Sequence, residues 1–148
     1  MEIAEILTQD RVIPSLRVSD KAQLLQELAR RAAAILNIPQ KTILDALEAR
    51  ESLGSTGLGH AFALPHARIE GLDQFFGLFA RLARPIAYDA VDDNPIDLVF
   101  LLLIPTSTTV NYVSILAAIS RRVRDQELAQ RLRKAENAAT LHALLTGC

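Results

Sequence analysis

Apolar residues recur at three- and four-residue steps through residues 20–36, where Leu25, Leu28, Ala29, Ala32 and Ile35 or Leu36 would share one helix face. Ser19 or Asp20 is suited to cap the start of this helix, and Ile38-Pro39 to close it. A second apolar stripe, Ile43, Leu44 and Leu47, runs through residues 40–51. Three further helices are predicted near the end of the chain, over residues 109–124, 126–134 and 137–145. The middle of the chain has a different pattern. Residues 75–82 are aromatic and apolar and stop before the turn-like Arg84-Pro85. Residues 98–104 form an apolar run ended by Pro105, too short for most helices and suited to a central strand covered on both faces. Residues 12–16 and 62–66 are shorter strand candidates. Helices flanking strands at both ends predict an α/β fold with a sheet between helical layers. No linker, low-complexity tract or repeat divides the sequence, so residues 1–148 are expected to form a single domain.

Composition narrows the classes without naming one. Lys and Arg total 16 against 17 Asp and Glu, a formal net charge of -1, and 50% of the residues are hydrophobic. That balance argues against a nucleic-acid binder of the strongly basic kind and against a polyacidic tail protein. The one cysteine, Cys148, has no partner to oxidise, which suits a reducing compartment. The start, Met1-Glu2-Ile3-Ala4-Glu5, has no basic segment leading into an apolar one, and the longest apolar run falls far short of the roughly 20 residues that span a bilayer. A cytoplasmic protein with no direct membrane insertion is expected.

Candidate chemistry concentrates between Arg50 and Arg68. Gly54, Gly57 and Gly59 cluster between a predicted helix and a predicted strand, and Ser55 and Thr56 add hydroxyl donors. Such a loop can bring backbone N–H groups close to an anion. It matches neither standard nucleotide fingerprint, having no Gly-x-x-x-x-Gly-Lys and no third glycine in the dinucleotide spacing. Next comes Leu64-Pro65-His66, where proline fixes its own φ and holds Leu64 extended, so His66 should leave a strand at a set angle. A histidine beside glycine-rich amides and the guanidinium groups of Arg50 and Arg68 could accept a phosphoryl group. On residue types alone, a tight turn beside a core histidine is the favoured reading.

The stretch resembles the active-site motif of the enzyme IIA proteins of the phosphoenolpyruvate-dependent phosphotransferase system, in their fructose/mannitol and nitrogen-regulatory class. Arg50-Glu51, the loop from Gly54 to Gly59 and Ala63 to His66 carry the likeness, and so do residues 6–16, 85–92 and 95–100. A stand-alone chain of this length is most similar to the nitrogen-regulatory branch. The resemblance implies a mixed sheet sandwiched between helices. It further implies that His66 is the phosphoacceptor, loaded from the phosphohistidine of a small HPr-like carrier. Arg50 would orient phosphoryl oxygens, the backbone from Gly54 to Gly59 would shape the pocket, and Ser55, Thr56, His60 and Arg68 would border it. Downstream, phosphate would pass to a IIB cysteine in sugar-transporting relatives. In nitrogen-regulatory relatives the phosphorylation state would instead set which regulatory protein, such as a sensor kinase or ion transporter, is bound. A regulator that binds proteins without being phosphorylated is the third alternative, and pairing of two copies is left open. No metal or organic cofactor is implied. The chain departs from the family where a second histidine usually follows the last long strand. Tyr112 stands there, and a phenol can hydrogen-bond a phosphoryl oxygen but has no cationic form. Ala61 and Ala67 also replace common glycines.

Other candidates read more simply. His60 is expected on a loop surface, with contact to phosphate as the alternative, and His142 in a surface or packing role. The three histidines form no i, i+4 pair, lack cysteine partners and fit no His-Glu-x-x-His pattern, so no metal site is expected. Asp89, Asp92 and Asp93 read as solvated turn carboxylates. Arg121, Arg122, Arg124, Arg131, Arg133 and Lys134 outnumber Asp125 and Glu127, and read as a solvated helix face with Val123, Leu128 and Leu132 turned inward. Docking of an acidic protein is the alternative there, and nucleic-acid binding is least favoured because no aromatics interleave the basic residues.

Overall fold

Residue 96 begins a strand whose ten residues, Ile96–Pro105 (β6), are buried on both faces except for Asp97. The computed structural model describes residues 2–108 and 111–147. In chain order the preceding elements are α1 (Ile3–Ile6), a short 3-10 turn, β1 (Val12–Leu16), α2 (Lys21–Leu36), α3 (Gln40–Ser52), β2 (Gly57–Gly59), β3 (Phe62–Ala63), β4 (His66–Ile69) and β5 (Phe76–Ile86). After β6 come α4 (Tyr112–Arg124), α5 (Gln126–Lys134) and α6 (Ala138–Thr146). The described strands form one sheet in the order β1-β5-β6-β3-β2, with β4 also on β6. The sheet is mixed: β6 runs antiparallel to β5 and parallel to β3 and β4, while β1 runs parallel to β5.

The two-residue alternation of a strand explains why β6 is apolar throughout. Val99, Leu101 and Leu103 face a core shared with Leu24, Leu25, Leu28 and Ala32 of α2 and Ile43 and Leu47 of α3. Leu98, Phe100, Leu102 and Ile104 face the opposite core, built with Ile115 and Ile119 of α4, Leu128 and Leu132 of α5 and Leu141 of α6. Helices therefore cover both faces, as the alternation of predicted elements requires.

Local signals mark several element ends. Asp20 caps α2 by accepting the Gln23 N–H, and Asn37 ends it in a left-handed conformation before Pro39. At the end of α2, Leu36 packs on the core, whereas Ile35 stays 47% exposed. The predicted start of the 109–124 helix falls on Thr109, which lies outside the described residues, as does Cys148; the described helix begins at Tyr112 with Asn111 as its cap.

Two strand expectations are corrected. β5 does not stop before Arg84-Pro85 but continues to Ile86, because its register on β6 shifts between Arg81 and Ile86 and so accommodates a residue with no N–H. The strand expected over 62–66 is divided. Phe62 pairs with Leu98 and Ala63 with Val99, and His66 then pairs with Leu102 in the same register. Between them the Leu64 N–H turns away to the Thr56 carbonyl at 3.0 Å, and Pro65 has no N–H to give. His66 therefore opens β4 rather than ending a strand. Truncating Phe100→Ala, at a fully buried position of β6, should cost about 3–5 kcal/mol in chemical denaturation, from lost transfer energy and the cavity left behind.

Candidate functional site

Strand β4 and the end of α3 bring His66 and Arg50 together. His66 Nδ1 lies 2.8 Å from the Leu64 carbonyl, which can only accept, so Nδ1 carries the proton. That leaves the lone pair on Nε2, which takes a hydrogen bond from Arg50 Nε at 3.3 Å. Arg50 is braced in turn by the Gly54 carbonyl at 2.9 Å. The neutral imidazole thus has one nitrogen tied to the backbone and the other facing a guanidinium. Burial lowers the proton affinity of His66; the Leu64 carbonyl opposes this, Arg50 adds to it, and Glu51 opposes it. The outcome is a pKa below the ordinary value of 6.5.

The ring borders an open concavity of about 390 Å³ that Arg50, Leu53, Arg68 and Tyr112 also line. Tyr112, the first residue of α4, lies where the sequence register places it. The Arg68 guanidinium sits 5.8 Å from the Tyr112 ring centroid and donates to the Thr106 carbonyl at 2.9 Å.

The glycine loop is built differently from the cradle that the sequence suggests. Gly57 and Gly59 do not line the concavity at His66. A Cβ on Gly57 would come within 2.8 Å of Ala90 Cα, so glycine here allows the loop to pack against the segment after β5. Gly59 has φ +92° and leads into His60 and Ala61, both also left-handed, at the turn between β2 and β3. The Ser55 hydroxyl donates to the Tyr88 carbonyl at 2.9 Å and accepts the Gly57 N–H at 3.0 Å. Thr56 is 2% exposed, and its hydroxyl bonds Glu51 and lies 3.0 Å from the Tyr88 hydroxyl. Neither hydroxyl is presented to the His66 ring.

His60 is not brought to His66 either. It lines a separate groove of about 460 Å³ with Asp97, Arg124 and Gln126, and its backbone N–H is held by Asp92 at 3.1 Å. Asp92 is therefore a structural acceptor in its turn as well as a solvated carboxylate. His142 packs through Nε2, 2.8 Å from the Leu7 carbonyl. In the basic segment, Arg133 pairs with Asp97, Arg131 with Glu127, and Arg122 donates to the Leu144 carbonyl. Val123, Leu128 and Leu132 are buried as expected. Among the described residues no group of His, Cys, Asp or Glu is arranged to hold a metal ion.

Sequence reasoning gave no role to Glu51 or Tyr88. Glu51 forms an ion pair with Lys21 at 2.9 Å, with its side chain only 7% exposed. Its carboxylate also accepts the Thr56 N–H at 3.1 Å. Tyr88 is buried against it, with the Lys21 ammonium 4.4 Å from the ring centroid, and burial first, then the Glu51 charge, pushes the phenol pKa up. The signal available for Glu51 was its place in the Arg50-Glu51 pair; Tyr88 carried none.

A mixed sheet between helical layers, with a neutral histidine against an arginine at the rim, defines a class that the comparisons identify. The chain belongs to the family "Phosphoenolpyruvate-dependent sugar phosphotransferase system, EIIA 2", whose model matches residues 5–147. It is similar to a nitrogen regulatory protein of Bradyrhizobium diazoefficiens, with 39% identity over 145 residues, 98% of this chain and 95% of that protein. The crystal structure of nitrogen regulatory protein IIA-Ntr from Neisseria meningitidis matches with a TM-score of 0.92 at 31% identity, covering 97% of this chain and 99% of that one. The complex of enzyme IIAMTL and phosphorylated enzyme IIBMTL from Escherichia coli matches in fold, with a TM-score of 0.79 at 14% identity over 96% and 98% of the chains. The family makes the protein a phosphotransfer component of that system. No helix among the described residues is long and apolar enough to cross a membrane.

Because folding lowers the proton affinity of His66, its contribution to stability is complete above pH 6.5 and is lost as pH falls through the lower folded value. NMR titration of the His66 ring should give a midpoint below 6.5, and Arg50→Ala should raise that midpoint by removing a repelling charge. Replacing Gly57→Ala should cost about 1–3 kcal/mol by overpacking against Ala90, read as a lower denaturation midpoint.

Proposed function

We propose that the chain is a cytoplasmic phosphohistidine carrier whose phosphorylation state regulates partner proteins, with His66 as the phosphoacceptor. The observation that carries this reading is the pairing of His66 Nδ1–H with the Leu64 carbonyl, which leaves the Nε2 lone pair directed at Arg50. The donor would be the phosphohistidine of an HPr-like protein. Nε2 attacks phosphorus in line, the new N–P bond forms as the donor's N–P bond breaks, and the donor imidazole leaves with its electron pair. His66 keeps its Nδ1 proton, so its phosphorylated ring is an imidazolium held by the Leu64 carbonyl, and the donor, protonated on its other ring nitrogen, leaves as neutral imidazole. Arg50 turns from Nε2 to the phosphoryl oxygens, where a charge-assisted hydrogen bond is stronger than its bond to neutral imidazole. Arg68 adds a second cation at the rim, and the Tyr112 hydroxyl donates to a phosphoryl oxygen. Leu53, 83% exposed, and Val113, 60% exposed and next to Tyr112, give the rim apolar contacts for the carrier.

The likeness to nitrogen regulatory proteins over nearly the whole chain supports a regulatory output; a sensor kinase or ion transporter is the partner class of this proposal. The family's sugar-system description favours one competing output, delivery to a IIB cysteine. Phosphate passing from labelled protein to a IIB domain would establish that route. Retention of a regulatory partner by only one phosphorylation state would establish the first.

Incubation with the upstream phosphocarriers and radiolabelled phosphoenolpyruvate should give an acid-labile, base-stable label that His66→Ala abolishes without loss of fold. Label persisting in that variant would assign another acceptor. No label on the unaltered chain would reduce it to a protein-binding regulator. Tyr112→His should speed acceptance about tenfold, equivalent to about 1.4 kcal/mol at the transition state, by supplying a cationic donor.

A further inference from the structure

Both nitrogens of His66 are held by groups that trace back to one buried carboxylate. Glu51 Oε1 takes the Lys21 ammonium at 2.9 Å and the Thr56 N–H at 3.1 Å, while Oε2 accepts the Thr56 hydroxyl. The Thr56 carbonyl accepts the Leu64 N–H at 3.0 Å, and the Leu64 carbonyl accepts the His66 Nδ1–H at 2.8 Å. An unbroken run of hydrogen bonds therefore links Glu51 to the Nδ1 side of the ring. On the Nε2 side, Arg50 is the residue next to Glu51 in the last turn of α3, and it is braced on Gly54 within the loop that Glu51 ties down. The Gly54 N–H returns to the Glu51 carbonyl at 3.1 Å, closing the helix end onto the loop.

We infer that Glu51, paired with Lys21, is the positioning residue of the phosphoacceptor site. It holds Leu64 and Arg50 at the distances that fix the His66 tautomer and the aim of Nε2. Glu51 lies away from the concavity, which Arg50, Leu53 and Tyr112 line, so it acts through Thr56 and α3 and not on the phosphoryl group. Its burial gives the device its stiffness. At 7% side-chain exposure, water offers the carboxylate no alternative partners, so Thr56 cannot drift without leaving a buried charge short of hydrogen bonds. The Thr56 hydroxyl, 3.0 Å from that of the buried Tyr88, anchors the same point from the opposite side. Transfer between two imidazoles depends on in-line placement, and a misplacement of about 1 Å can cost roughly a hundredfold in rate.

This inference rests on the phosphocarrier reading of His66 but is testable without it. In Glu51→Gln, ¹⁵N shifts of the His66 ring should lose the signature of a single Nδ1–H tautomer. Phosphoryl acceptance should slow about tenfold or more in its maximal rate, with the carrier's apparent affinity unchanged, since the docking rim is untouched. Because that variant strands the Lys21 charge, the double variant Glu51→Gln with Lys21→Met removes both charges and should remain slow even where it folds as stably as the parent. Thr56→Val, which keeps the backbone N–H and loses the hydroxyl, should move both readouts in the same direction by a smaller amount. Lys41→Ala, which breaks an exposed ion pair at the far end of α3, should move neither. Parental ring signals and rate in folded Glu51→Gln would overturn the inference, and so would a loss confined to carrier affinity. If the unaltered chain takes no label, the phosphocarrier reading fails while the ring signals still decide the role of Glu51.

Discussion

The site depends on β6 holding one register on both sides of the Leu64-Pro65 break. Phe62 and His66 are four residues apart, and their partners Leu98 and Leu102 are four apart as well. The edge line therefore resumes where an uninterrupted strand would have continued. Inside the break the Pro65 carbonyl still accepts the Leu102 N–H of β6 at 3.0 Å, the Leu64 N–H goes to Thr56 beside β2, and the Leu64 carbonyl accepts from the His66 ring. Backbone polar groups alternate sides along a strand, so residue 65 faces β6 and Leu64 faces away from it, which leaves the Leu64 carbonyl for the imidazole. Proline at position 65 has no N–H to offer β6, so the ladder is interrupted there without leaving a donor unpaired.

Charge at the site follows from this geometry. A histidine that faces a guanidinium inside a partly buried wall stays neutral, because the charged form loses solvation and meets a like charge. Neutrality is what a phosphoryl acceptor needs, as the attacking nitrogen must carry a lone pair. The guanidinium that, after burial, helps keep the ring neutral is, on the phosphocarrier reading, also placed to meet phosphoryl oxygens on Nε2. Behind it, Lys21 and Glu51 cancel, so the supporting wall adds rigidity with little net field of its own.

Much of the scaffold could be read from the sequence because it is encoded by near neighbours. The Asp20 cap, the stripes of α2 and α3, β1 and the doubly buried β6 all rest on spacings within a few residues. The errors arose where distant segments meet. β5 runs through Arg84-Pro85 only because β6 accepts a register shift there, which no local propensity encodes. Glycine clustering suggested an anion cradle, yet Gly57 is glycine because Ala90 packs against it from more than thirty residues away. His60, in the same loop as the candidate residues, is carried by the β2–β3 turn toward Asp92, Asp97 and Gln126 instead. Of the site itself, His66, Arg50, Arg68 and Tyr112 line one concavity. The Lys21–Glu51–Thr56–Tyr88 cluster was invisible, because its members come from three separate parts of the chain.

The rim of the concavity carries a phenol, Tyr112, where the family resemblance leads one to expect a second histidine. An imidazole there could supply a hydrogen-bond donor and a positive charge from one side chain. Here the two properties are divided. Tyr112 offers a hydroxyl, and the charge stands on Arg68, whose guanidinium is fixed over the Tyr112 ring by the Thr106 carbonyl. The division has a physical consequence. A guanidinium stays charged across the whole working pH range, whereas an imidazole gains or loses its proton within it. The charge at this rim is therefore a fixed one, while His66, beside it, has its proton affinity lowered by burial. On the phosphocarrier reading, the nucleophile contributes its acid dependence through a pKa held below 6.5, chiefly by burial.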